Sequence, residues 1–119
     1  MYITVNQIKM YYKVSGEGKP LIMVHGNGED HTIFNELAKS LESQYKIYLL
    51  DSRMHGKSEK NVNITYDLMA RDIISFCEAL NLEQIKYLGF SDGGIVGLKI
   101  SLLKPYLLSD MILCGANYD

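Results

Sequence analysis

Tryptophan is absent from this chain, proline and cysteine occur twice each, and histidine only at positions 25, 31 and 55. Each scarcity excludes something. Cys77 and Cys114 both lie in apolar segments, offer no disulfide framework or metal-ligand spacing, and read as buried thiols. No apolar run approaches the roughly 20 residues of a membrane-spanning helix. Met1-Tyr2-Ile3-Thr4-Val5-Asn6 has neither the basic nor the apolar region of a secretory leader. The formal net charge is −2, which gives no footing for nucleic acid or an anionic membrane. No internal repeat, low-complexity tract or linker is visible. The expectation is a cytoplasmic, reducing setting, with no cofactor and no metal.

What is present suffices for a core. Of 119 residues 47% are hydrophobic, which suits one domain over 1–119. Residues 2–14 read as a hairpin: Ile8, Met10, Tyr12 and Val14 alternate with Lys9, Tyr11 and Lys13. Asn6-Gln7 would form its turn, although such turns prefer glycine at the second place. Leu21–Val24 and Ile47–Leu50 are continuous apolar runs, as in strands buried on both faces. The spacing predicts a helix over 32–43, capped by Asp30 or Thr32, burying Ile33, Phe34, Leu37, Ala38 and Leu41. A second helix runs from Tyr66 to Leu80 behind Thr65, burying Leu68, Met69, Ile73, Phe76, Cys77 and Leu80. A third covers 93–103 and stops before Pro105. Met111–Cys114 is the last strand. Strands alternating with helices predict an α/β fold with a mostly parallel sheet and helices on both faces.

The chemistry centres on Gly89-Phe90-Ser91-Asp92-Gly93-Gly94, between the apolar strand Ile85–Leu88 and the third helix. The pattern G-x-S-x-G in strand–turn–helix context is a nucleophile elbow. A tight, strained turn lifts the serine hydroxyl clear of the sheet, and its neighbours must be small because two backbones nearly touch. The helix that follows points its free N–H groups at the site. Two further loops, His25-Gly26-Asn27-Gly28 and Asp51–Ser58, also follow the C-terminal ends of strands, where ligands bind in open α/β sheets. A dinucleotide-binding reading fails on spacing: after Gly26-x-Gly28 the third glycine position is His31, and Ser91 stands where G-x-G needs glycine.

Together, His25-Gly26, Asp51-x-Arg53-x-x-Gly56-x-Ser58 and the elbow resemble the α/β-hydrolase superfamily, in order and spacing, over essentially the whole chain. The resemblance implies the N-terminal part of that fold, through the strand after the elbow. It implies that Ser91 is the nucleophile and that the backbone N–H groups of Asp92 and Asn27 are oxyanion donors. It further implies a serine hydrolase acting on an ester, thioester or amide of a small acyl substrate, present here as its N-terminal portion. The alternative is a non-catalytic ligand-binding relative. His25 reads as a loop-stapling residue, His55 as structural or solvated, and His31 as a surface residue. Met54 departs from the family, which often has glycine there. Either the turn is built differently or its backbone is strained.

The larger departure is that no histidine follows Ser91, whereas the triad order in this fold is serine, acid, histidine. Of the later carboxylates, Asp92 belongs to the elbow, Asp110 precedes the last strand, and Asp119 follows it, where some family members carry the acid. The C-terminal strands, lid and triad histidine of the family have no counterpart in these residues. Serine needs an adjacent base to act as a nucleophile, so the half-site is expected to turn over no substrate alone. Met111–Cys114 would then be an open sheet edge without lysine or proline inside the run. The expected partner is a second copy, paired antiparallel across a two-fold axis, or a complementary C-terminal fragment.

Overall fold

The computed structural model describes residues 1–115. Its elements are β1 (Tyr2–Val5), β2 (Ile8–Ser15), β3 (Lys19–Val24), a 3₁₀ turn (His31–Phe34), α1 (Asn35–Leu41), β4 (Tyr45–Leu50), α2 (Tyr66–Ala79), β5 (Ile85–Phe90), α3 (Asp92–Leu103) and β6 (Leu108–Cys114). The strands form one sheet in the order β1-β2-β4-β3-β5-β6. β1 and β2 pair antiparallel, β2 joins β4 antiparallel, and the rest is parallel. This is the expected partial α/β-hydrolase fold. From β3 the chain crosses first to β4 on one side and then to β5 on the other. The strand order therefore reverses between β3 and β5, and the C-terminal ends of those strands open into a crevice.

Side-chain alternation sorts the core onto two faces. Ile22, Val24, Tyr48 and Leu50 face α2 and α3, together with Phe76, Tyr87, Val96 and Ile100. Leu21, Met23, Ile47 and Leu49 face α1, against Phe34 and Ala38. Fully burying one such side chain stabilises by about 1.5–3 kcal/mol. Thr65 caps α2 by accepting from Leu68 N–H at 3.0 Å, and Asp30 caps the 3₁₀ turn through Thr32 N–H at 2.9 Å.

Several expectations need correction. The first helix is a 3₁₀ turn followed by a short α1. Their periods differ, so Ile33 and Leu37 do not join the buried face; they are 44% and 40% exposed. The buried stripe of α2 is wider than expected and includes Ala70, Asp72 and Ile74, while Leu68 and Leu80 are only half-buried. This helix packs against both the sheet and α3. β6 begins at Leu108, so Asp110 lies within the strand, paired with Lys86 on β5. Cys114 is half-buried rather than buried. Asp119 lies outside the described residues. The Asn6-Gln7 turn forms as proposed: φ is 49° and 67° at the two residues, which the mirror-image two-residue turns require even without glycine.

Among the described residues, the α1 side of the sheet is covered over β3 and β4 and only thinly over β5 and β6, where Leu88 still packs against that cluster. Phe90 is 40% exposed and Ile112 58%. β6 has only β5 as a neighbour among the described residues.

Candidate active site

The elbow is built by contacts too close for any side chain. Ser91 has φ 56° and ψ −115°, a conformation that costs a non-glycine residue about 1–3 kcal/mol. Its surroundings over-determine it. Ser91 N–H donates to Cys114 O at 2.7 Å and its carbonyl accepts from Gly94 N–H at 2.8 Å. A Cβ on Gly89 would overlap the Gly93 backbone, and one on Gly93 would overlap Val24 O. The Tyr87 hydroxyl, fully buried beneath, donates to Gly93 O at 2.6 Å. Burial pushes the Tyr87 pKa well up, so it stays a donor. The turn of Ser91 between β5 and α3 thus depends on close backbone contacts that only glycine allows at positions 89 and 93.

The loop after β3 comes to the same place. A Cβ on Gly26 would stand 3.0 Å from Ser91 Cβ and 2.8 Å from Glu29 Oε1. Glu29 holds the loop through Gly26 N–H at 2.8 Å. Asn27, the next residue, is exposed. Asp92 opens α3, where the first N–H groups of a helix lack intrahelical acceptors. Its carboxylate accepts from the Tyr66 hydroxyl at 3.0 Å, and that bond raises the Tyr66 pKa. Ser91, Asn27 and Asp92 therefore gather where the strand order reverses. A cavity of about 710 Å³ opens on the Asn27 side, lined by Asn27, Gly28, Glu29, Asp30, Met54 and His55 among others. A second cavity, of about 580 Å³, lies between the end of α2 and residues 104–107, away from the serine, and we assign it no part in the chemistry.

The loop after β4 explains its own motif. Asp51 is fully buried and accepts from His31 N–H and His31 Nδ1 at 2.8 Å each and from Lys57 N–H at 2.9 Å. Gly56 is glycine because the Asp51 carboxylate occupies the place of its Cβ. Ser58 Oγ donates to Asp51 O at 2.6 Å. Arg53 reaches α2, where Nε and Nη2 donate to the two Asp72 oxygens at 2.7 and 2.8 Å. The strained alternative holds at Met54, whose φ is 68°.

All three histidines are committed. His25 is fully buried, Nδ1 to Gly26 O at 2.7 Å and Nε2 accepting from Ser52 N–H at 3.0 Å. Burial lowers its pKa, which keeps it neutral. His31 is buried against Tyr11 and Asp51, not at the surface as expected, because Asp51 draws in both its backbone and its ring. His55 has Nδ1 on Arg53 O at 2.9 Å and Nε2 accepting from Gly28 N–H at 3.0 Å. Asp30, His31 and Asp51 bring donor atoms within 4.8 Å of one another, yet Asp30 caps the 3₁₀ turn and Asp51 takes three N–H groups. That geometry serves the loops. Sequence reasoning missed Glu29, Asp72 and Tyr87. Only Asp72 left a signal, as a carboxylate inside an apolar stripe facing a sheet with a buried-loop arginine.

Comparison with known proteins agrees with this architecture. A family model described as alpha/beta hydrolase fold matches residues 19–119. The chain is 30% identical over 115 residues to an sn-1-specific diacylglycerol lipase, ABHD11, of Danio rerio, covering 92% of this chain and 36% of that protein. It is 32% identical over 120 residues to an uncharacterized hydrolase, YugF, of Bacillus subtilis, covering 97% and 44%. The solved esterase EaEST of Exiguobacterium antarcticum superposes with a TM-score of 0.92 at 32% identity, over 98% of this chain and 45% of that one. The chain thus spans less than half the length of each of these relatives.

Proposed function

Because the chain belongs to the α/β-hydrolase family, we propose that it carries the nucleophile half of a serine hydrolase site, acting on an ester, thioester or amide of a small acyl substrate. The observation that carries this reading is the strained turn of Ser91, set between the start of α3 and the Gly26-Asn27 loop. In it Ser91 is the nucleophile, and the N–H groups of Asp92 and Asn27 receive the oxyanion. One such donor lowers the barrier by about 2.7–4 kcal/mol. The esterase and lipase names of the relatives support acyl chemistry. Their greater length is consistent with an acid and a base supplied by further polypeptide.

With every histidine engaged, Ser91 has no base among the described residues. A non-catalytic ligand-binding role for the chain by itself is the second reading this favours. The two are separated by incubating the chain with an activated aryl acetate and mapping adducts by mass spectrometry. The expected result is slow, stoichiometric acetylation of Ser91 without turnover, absent in Ser91→Ala. Oxyanion donors and binding alone retain roughly 10³–10⁴-fold over water when a serine triad is broken. A parent chain in which no adduct maps to Ser91 would overturn the hydrolase reading.

A further inference from the structure

His25 and His55 form a reciprocal clasp. Their ring centroids are 5.0 Å apart. Each imidazole leaves its own loop to accept an N–H from the other: His25 takes Ser52 of the β4 loop, and His55 takes Gly28 of the β3 loop. An Nε2 that faces an N–H donor is unprotonated, so the proton of each ring sits on Nδ1. There it donates to a carbonyl of its own loop, Gly26 O or Arg53 O. Gly28 follows Asn27 directly.

We propose, resting on Asn27 as an oxyanion donor, that His55 is a positioning residue: its neutral ring latches Gly28 and so keeps the Asn27 N–H aimed at Ser91. The buried half of the clasp, His25, holds the loop root whatever His55 does. The outer half controls the loop tip. Without an acceptor at Nε2 the Gly28 N–H is released, and the latch opens.

Amide hydrogen exchange resolved by residue tests this on the 119-residue chain, with rates normalised to the intrinsic rate. Gly28 is expected to be protected in the parent chain. His55→Leu, which removes the acceptor but keeps apolar bulk, should expose Gly28 roughly fivefold to tenfold more. His55→Gln, whose Oε1 replaces Nε2 as acceptor, should keep Gly28 protected. Protection that is unchanged in His55→Leu, or that is absent in the parent chain, would overturn the latch. The Ser91 acetylation assay separates the two readings. A parent chain that is never acetylated sinks the hydrolase reading. Undiminished acetylation in His55→Leu, with Gly28 unprotected, sinks only the link from latch to Asn27.

Discussion

Asp72→Ala is expected to remove a large share of the chain's stability. The carboxylate is 2% exposed and takes Arg53 Nε and Nη2 side by side, with Asn6 Nδ2 as a third donor at 2.9 Å. An arginine does not deprotonate in a protein, so the guanidinium cannot shed its charge when the partner goes. Arg53 is itself 4% exposed. Its remaining bond, Nη1 to Asn63 O at 2.7 Å, does not neutralise it. Removing one partner of a buried pair destabilises by about 3–5 kcal/mol, against a total of about 5–15 kcal/mol for an ordinary domain. Urea unfolding followed by circular dichroism would measure this. The paired replacement Arg53→Met with Asp72→Leu should recover most of the loss, since an apolar pair of similar volume often matches a buried ion pair. If Asp72→Ala unfolds at the parent's urea midpoint, the pair does not fasten the loop to α2.

The second large effect concerns the sheet edge. The isolated chain is expected to self-associate through β6. Leu108–Cys114 offers its outer backbone groups to any strand that arrives, and neither lysine nor proline stands within it. The thinly covered face beside it carries Phe90 and Ile112, apolar surface of the kind that drives association. Antiparallel pairing of two copies about a two-fold axis would extend the sheet. Light scattering after size exclusion should show dimers or larger species at high micromolar concentration. Ile112→Lys, at the most exposed apolar position of the edge strand, should shift the chain towards monomer. The length of the relatives supplies a second occupant, a polypeptide equivalent to their C-terminal half, and adding one should dissolve the self-association. A parent chain that stays monomeric throughout would show that this edge is not sticky.

The chain's own order announced most of the fold. Apolar runs at Leu21–Val24 and Ile47–Leu50, a period-2 hairpin and helical stripes behind Thr65 and before Pro105 are local patterns. Local patterns survive translation into structure because alternation and caps act within a few residues. The elbow was legible for the same reason: Gly89, Gly93 and Gly94 around one serine describe a backbone constraint in sequence. Other features were decided only by packing. Ile33 and Leu37 have the same apolar character as Phe34 and Ala38, and their exposure was settled by how the 3₁₀ turn and α1 together present one face to the sheet. His31 became buried because Asp51, distant in sequence, accepts from both its backbone and its ring. Asp72 became the partner of Arg53 because α2 lies across the β4 loop. Hydrogen bonds between distant residues carry no sequence period. The network around the site therefore became readable only once the strands had brought three loops to one end of the sheet.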